Sequence, residues 1–386
     1  MTILEVSATL FSADHPGGGE RHVTELVNEL SRWENVVTSS VVRERELPTG
    51  RSTLQLTQSR VQLRHPGSET DPFPALDSPF KIRRWLKQES NLEIVHIHNP
   101  RTAASALWTI CAHLRKRGLR TKILLTDHGA RMFPAPKILA SMADYYVPVS
   151  RFSEALMTRW VPKPSCVIPV GVSSALVPKG QVPGFSERTI DILCVGRMVP
   201  WKRLESVVQL AQRLTASSRR PIRTIFAGHP RDWDYVNKLR SLIRRNGLDR
   251  TVTLLYNPTD SELLRLYQSS RVHLLFSGQR DHSGRFHPAP ELASIVSLEA
   301  AASGTPSVVT DLPGPMEQVI DGHTGYIVSQ WKTAEAMSRV GSLLDDSQAW
   351  RTMSGLSREY VLRERTYEIL TKRFLEFVRG IRDTRQ

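Results

Sequence analysis

Cysteine is scarce in this chain: only Cys111, Cys166 and Cys194 occur in 386 residues, and no metal-ligand spacing joins them. So sparse and odd a set excludes a disulfide framework. It fits a reducing cytoplasm, with buried packing as the expected role of each thiol. Long apolar runs are missing too, and nothing approaches the roughly 20 residues needed to span a membrane. No basic leader precedes the apolar residues of Met1-Thr-Ile-Leu-Glu-Val, which read as a first strand and not as a signal peptide. Acidic residues are short: 38 Asp and Glu face 52 Lys and Arg, for a formal net charge of +14. The basic residues are spread out, as in Lys81-Ile-Arg-Arg-Trp-Leu-Lys87 and Arg115-Lys-Arg117, without interleaved aromatics. That pattern argues against a nucleic-acid-binding platform and leaves peripheral contact with an anionic membrane surface open.

What is present is alternation. Ile3-Leu-Glu-Val-Ser reads as a strand, Arg21 to Trp33 as a helix with Val23, Leu26, Val27 and Leu30 on one face, and Val36 to Val42 as a second strand. Residues 44–78 are polar, proline-containing and poorly periodic, so irregular structure is expected there. Ile94 to His98 and Lys122 to Thr126 resume the βαβ pattern; Tyr145 to Ser150 and Cys166 to Pro169 continue it. The stretch Val177-Pro-Lys-Gly-Gln-Val-Pro-Gly184 reads as an interdomain linker. Alternation restarts at Ile190 to Val195, Thr224 to Ala227, Val252 to Leu255 and Val272 to Phe276. The expected fold class is α/β: two open parallel sheets in tandem, their ligand bound at the carboxyl ends of the strands, in the cleft between them. The expected domains are residues 1–178 and 185–365, with Tyr367 to Ile381 as a basic amphipathic helix.

The most informative segment is Glu291-Leu-Ala-Ser-Ile-Val-Ser-Leu-Glu299, followed by Ala-Ala-Ala-Ser303-Gly304-Thr-Pro306. Gly304 and Pro306 are stop signals for a short helix. First-turn amides near Ser294, Ile295 and Val296 would lack partners within that helix and form a seat for an anion. A carboxylate beside such a seat suits the hydroxyls of a sugar or ribose, so the pair suggests a nucleotide sugar. In Val195-Gly196-Arg197-Met-Val-Pro-Trp201-Lys202-Arg203, Gly196 permits a tight turn, and Arg197 and Lys202 bring two cations into one loop. Arginine can fork onto phosphate oxygens, and the nearby lysine adds a point charge. Pro16-Gly17-Gly18-Gly19-Glu20-Arg21-His22 is not a dinucleotide fingerprint, because the Gly-x-Gly-x-x-Gly spacing is missing. Thr126-Asp127-His128-Gly129 ends a strand; His96, His98 and His273 read as structural or exposed.

On these residues the chain resembles the retaining glycosyltransferases of family 4, which have the GT-B fold of two Rossmann-like domains. The likeness rests on Glu, seven residues and Glu, then Gly-Thr-Pro and the later Glu317-Gln-Val-Ile-Asp-Gly-His-Thr-Gly325. The resemblance implies that the C-terminal helix, about 366–386, crosses back to the first domain. It implies that Arg197 and Lys202 hold the leaving diphosphate and that Gly17 and Gly18 approach it with their amides. His128 would hydrogen-bond the donor sugar near the reacting carbon. Glu291 would hold sugar hydroxyls, and Glu299 both ribose hydroxyls, which slightly favours UDP or GDP. The implied reaction moves a sugar, with retention and without a metal, to a hydroxyl of a glycan, lipid-linked or natural-product acceptor in the cytoplasm or at the inner membrane face. Departures from the family pattern are Ser294 for glycine, Val170 for asparagine, His229-Pro230 after Gly228, and a longer segment from Gly278 to Pro290. A sugar-nucleotide epimerase of the same fold and a non-catalytic nucleotide-sugar-binding protein remain as alternatives.

Overall fold

The structure, a computed structural model, describes residues 1–7, 17–41, 59–64, 71–75, 78–89, 91–99, 103–116, 121–128, 136–159, 161–218, 220–287, 291–330 and 332–383. The chain divides into two compact units, Met1–Pro169 with Tyr367–Gln386, and Val170–Thr366.

The first unit contains β1 (Thr2–Ser7), α1 (Gly18–Leu30), β2 (Asn35–Val41), β3 (Ser59–Arg64), β4 (Asp71–Ala75), α2 (Pro79–Gln88) and β5 (Leu92–His98). It continues with α3 (Ala103–Lys116), β6 (Lys122–Thr126), α4 (Pro136–Met142), β7 (Tyr145–Tyr146) and α5 (Arg151–Thr158). The sheet order is β4-β3-β2-β1-β5-β6-β7. Strands β2, β1, β5, β6 and β7 are parallel, whereas β3 and β4 add an antiparallel edge. Part of the segment expected to be irregular is therefore sheet. Its alternation, Ser59-Arg-Val-Gln-Leu-Arg64, is short, and Pro72 and Pro74 suit β4 to an edge where ladder donors are dispensable. The rest of 44–78, apart from the Ser78 cap, lies outside the described residues. Cys166 to Pro169 runs beside β7, with Cys166 N–H bonded to Tyr146 O and Ile168 N–H to Pro148 O, but it forms only a bridge and no strand because Pro148 lacks the N–H that would complete the ladder. Helix α1 starts three residues ahead of the expected Arg21, with Gly17 as its N-cap.

Side chains alternate across the central strands, so each face of this sheet has its own core. Leu4, Val6, Val95, Ile97, Ile123 and Leu125 pack with Ile82, Trp85 and Leu86 of α2 and Trp108 of α3. Ile3, Ile94 and Leu124 face the other way, onto Val23, Leu26 and Leu30 of α1 and Leu370, Phe374 and Val378 of α13 (Tyr367–Asp383).

The second unit contains β8 (Ile190–Val195), α6 (Leu204–Ser218), β9 (Thr224–Gly228), α7 (Trp233–Arg245), β10 (Val252–Tyr256), α8 (Asp260–Ser269) and β11 (Ser270–Leu275). Then follow α9 (Ile295–Ala302), β12 (Ser307–Thr310), α10 (Pro313–Met316), β13 (Gly325–Val328), α11 (Thr333–Asp345) and α12 (Ser347–Glu364). Its parallel sheet runs β10-β9-β8-β11-β12-β13. The stretch read as a linker, 177–184, belongs to this unit. Val172 N–H bonds Arg365 O, and Arg358 donates to the carbonyls of Pro178 and Gly180.

Helix α9 is apolar on nearly every side and is accordingly buried. It ends in a Schellman motif: Gly304 N–H bonds Ala301 O, Thr305 N–H bonds Ala300 O, and Gly304 has φ +66. Arg188, 1% exposed, secures this end. Its guanidinium donates to the carbonyls of Pro183, Tyr267, Ser270 and Ser303 and to Thr305 Oγ1, and it stacks on Trp350 at 4.7 Å. A cation at a cluster of helix C-terminal carbonyls is favourable, and it fixes α9 against α8 and β12.

Candidate active site

In the second unit the sequence-predicted residues gather at the carboxyl ends of β8 and β11. Gly196 leaves β8 with φ +146, and a Cβ there would lie 3.4 Å from Lys202 Cε. That backbone conformation, which L side chains rarely adopt, favours glycine here, while the Lys202 side chain lies across the turn at ordinary contact distance. Lys202 Nζ meets Glu291 Oε1 at 2.5 Å, with both side chains mostly buried. Ser277 Oγ, just past β11, donates to the same oxygen at 3.2 Å. An ammonium has three donors, so Lys202 can hold Glu291 and still address phosphate oxygens. Arg197 is exposed, its guanidinium 5.9 Å over the Trp201 ring.

The loops at these strand ends brace one another. Gly278 N–H bonds Trp201 O, Arg203 donates to Gln330 O, and Gln330 Oε1 accepts from Gln279 N–H. Gln330 N–H in turn bonds Asp311 after β12. The longer segment after Gly278 is pinned through Asp281, which accepts from Ser283, the Arg285 amide and His287. Burial alone would raise the Asp281 carboxyl, but these bonds hold it at about 2. The His287 ring rests against Trp201 at 5.3 Å.

Ser294 is the N-cap of α9, and Ile295 is its first residue. Ser294 Oγ pairs with Ser297 Oγ at 2.9 Å and does not cap the first-turn amides of the helix. Glu299 sits one turn further in, 3% exposed, and accepts from Tyr267 OH at 2.8 Å. Lys202, Glu291 and Gly196 are therefore in contact, Arg197 shares their loop, and Glu299 is braced within the buried helix by Tyr267.

Gly314 was not singled out from sequence. A Cβ there would press on the Leu292 carbonyl carbon and lie 2.6 Å from Leu292 O and 2.7 Å from Glu291 O. The backbone carrying Glu291 thus leans on α10, and only glycine admits it. Asp311-Leu-Pro-Gly-Pro after a strand marks a turn, but nothing in that string names Glu291 as the neighbour.

In the first unit, Gly17 and Gly18 lead into α1, whose first amides lie at its N-terminus. Gly19 packs on His128: a Cβ there would lie 3.0 Å from the His128 Cβ. His128 follows β6, its N–H bonded to Asn99 Oδ1, while Asn99 N–H bonds Thr126 O. Behind it stands a buried polar cluster that the sequence reading treated as unconnected histidines. Glu5 pairs in register with His96 across β1 and β5, and His98 falls on the same face two residues on. His96 Nδ1 lies 3.0 Å and His98 Nε2 2.8 Å from Glu5 Oε2, and His98 Nδ1 lies 2.9 Å from His128 Nε2. Burial pushes the Glu5 carboxyl up, but attraction to His96 and hydrogen bonds from both histidines outweigh it and leave it at about 2. Burial and the charge of His96 hold His98 at about 4; burial, His98 and His96 hold His22 at about 3. Burial and the neighbouring His98, His22 and His96 hold His128 well below the usual imidazole range.

Two family models match the chain: Glycosyltransferase Family 4 over residues 16–176, and Glycosyl transferases group 1 over residues 179–358. Among curated relatives, a GDP-mannose-dependent alpha-(1-6)-phosphatidylinositol monomannoside mannosyltransferase of Mycolicibacterium smegmatis is 23% identical over 84% of this chain and 85% of its own length. A D-inositol 3-phosphate glycosyltransferase of Nocardia farcinica is 29% identical over 41% of this chain, a match spanning only 34% of that relative. Among solved structures, a glycosyltransferase of Rickettsia africae has a TM-score of 0.71 at 18% identity, covering 100% of this chain and 99% of its own. HepE of Anabaena, solved in complex with UDP, also has a TM-score of 0.71, at 16% identity over 98% and 100% of the two chains. At those identities the likeness shows the fold, GT-B.

Proposed function

Because the chain belongs to the family 4 glycosyltransferases, we propose that it transfers a hexosyl group from a ribonucleoside diphosphate sugar to an acceptor hydroxyl, with retention and without a metal. The observation that carries this reading is the contact of Lys202 with Glu291 at the strand ends of a unit whose α9 begins four residues after Glu291. Breaking the bond between sugar and phosphate builds negative charge on the diphosphate. Lys202, Arg197 and the amides of Ser294 and Ile295 answer it with fixed positive poles, worth far more in a water-poor site than in bulk water. Glu291 holds sugar hydroxyls and stabilises positive charge developing at the anomeric carbon. Glu299 accepts from the ribose hydroxyls, its carboxylate oriented by Tyr267. By resemblance to the family, the amides of Gly17 and Gly18 address a diphosphate and His128 a sugar hydroxyl. The departing phosphate acts as base toward the acceptor hydroxyl on the same face of the sugar.

A GDP-mannose-dependent relative and a solved neighbour bound to UDP support a ribonucleotide donor. Relatives named for inositol acceptors support a polyol or lipid-linked polyol acceptor. Exposed Phe80 beside Lys81, Arg83, Arg84 and Lys87 on α2 suits peripheral contact with an anionic membrane. Among the described residues no helix is long and apolar enough to cross one.

A thermal-shift panel of UDP, GDP, their 2′-deoxy forms and the corresponding nucleotide sugars tests the donor class on wild type and Glu299→Ala. Stabilisation by the ribonucleotides that exceeds that of the deoxy forms, and that disappears in Glu299→Ala, is expected. Indifference to every nucleotide would remove the proposal.

A further inference from the structure

The polar cluster behind His128 has a hydrogen-bond order that follows from proton counting. Thr126 Oγ1 donates its proton to Val147 O and so accepts from His96 Nε2. His96 Nδ1 then faces Glu5, and one proton lies between them. Glu5 Oε2 lies 2.8 Å from His98 Nε2 and 3.0 Å from His96 Nδ1; with that one proton committed to the His96 contact, it must accept from His98 Nε2. His98, protonated on Nε2, has only a lone pair left on Nδ1, so His128 Nε2 must donate to it across 2.9 Å. The His98 and His128 rings lie 16° from parallel, with centroids 5.1 Å apart. His128 Nδ1 makes no hydrogen bond among the described residues.

We propose that Glu5 and His98 are positioning residues, locking the tautomer and orientation of His128 so that its Nδ1 is an acceptor for a hydroxyl of the donor sugar. This rests on the reading that His128 meets the donor. It adds a polarity: the ring accepts from a hydroxyl and does not donate to a phosphate or carbonyl oxygen. A sugar bearing an O–H at that position is favoured over one with an ether or carbonyl oxygen there. Such control of a histidine by the partner of its other nitrogen decides what the ring can do.

Three donor atoms of Glu5, His96 and His98 also lie within 4.8 Å of one another. Structural zinc takes four protein ligands, and catalytic zinc keeps one position open to substrate. These side chains are at most 1% exposed and number three, which fits neither class. Shared protons account for every contact.

The test combines long-range proton–nitrogen NMR of the histidine rings with acceptor-free hydrolysis of UDP-glucose and GDP-mannose. Wild type is expected to show His128 protonated on Nε2 and bare on Nδ1. His98→Leu removes the acceptor, so His128 becomes a mixture of tautomers. Hydrolysis should then fall about tenfold or more, while UDP and GDP binding changes less than about twofold. His98→Asn puts a carbonyl near the lost Nδ1 and should recover at least about fivefold over His98→Leu. A wild-type His128 protonated on Nδ1, an unaltered tautomer in His98→Leu, or stoichiometric zinc in the purified protein would each overturn the positioning role. Hydrolysis unchanged in His128→Ala, with the expected tautomer in place, would instead overturn the donor contact on which the proposal rests.

Discussion

Gly314→Ala makes the sharpest use of this geometry. The new Cβ would lie 2.6 Å and 2.7 Å from the Leu292 and Glu291 carbonyl oxygens, where ordinary contact begins near 3.4 Å. The Leu292 carbonyl carbon is closer still, so the Glu291–Leu292 backbone must retreat by about 1 Å, or α10 must shift by as much. Gly314 does not have a positive φ, so strain from backbone conformation does not confuse the result. Overpacking of this size costs about 1–3 kcal/mol of stability. A catalytic group displaced by about 1 Å can lose about a hundredfold in rate, equivalent to roughly 2.7 kcal/mol. Chemical denaturation and acceptor-free donor hydrolysis measure the two effects separately. Gly355→Ala in α12 is the control: nothing lies within 4 Å of its Cβ, and it should stabilise by about 0.5–1 kcal/mol without touching rate. If Gly314→Ala hydrolyses donor at the wild-type rate, either Glu291 is not at the reacting centre or the α10 contact does not set its place.

Stability should also fall between pH 7 and pH 5. Burial holds His22 and His98 at about 3 and 4, and burial with the Lys202 charge holds His273 at about 3. Folded values below the unfolded one mean that their contribution is complete above about pH 6.5 and declines as pH falls, because the unfolded chain takes up protons that the folded one refuses. Each histidine contributes up to about 1.4 kcal/mol per pH unit across that window, and urea midpoints that do not move from pH 7 to pH 5 would refute the assignment. Arg188→Met removes the buried donor from the Ser270 and Ser303 carbonyls, while the Tyr267 carbonyl keeps the Thr305 hydroxyl, and should cost about 2 kcal/mol or more in a denaturation series. A loss under about 1 kcal/mol would show that the buried guanidinium does not secure α9.

Much of the second unit was legible because its strands are buried on both faces and read as unbroken apolar runs, and because Gly304 and Pro306 punctuate α9. Lys202 and Glu291, 89 residues apart in sequence, could be paired only through likeness to a family; their 2.5 Å contact is a tertiary fact. Gly314 and Tyr267 escaped notice for the same reason, since their partners are distant in sequence. Strands β3 and β4 were missed because proline and scattered charge mask a short alternation at a sheet edge. The histidines of β5 illustrate a subtler limit. His96 and His98 visibly share one strand face, but their meaning depends on Glu5, the register partner of His96 on the neighbouring strand.

A co-crystal structure with UDP or GDP at saturating concentration bears most directly on the central claim. The account predicts the diphosphate at the first turn of α9, its oxygens within hydrogen-bond distance of Lys202 and the Ser294 or Ile295 amide, and the ribose on Glu299. A nucleotide bound with its phosphates away from Lys202 and α9 would contradict it.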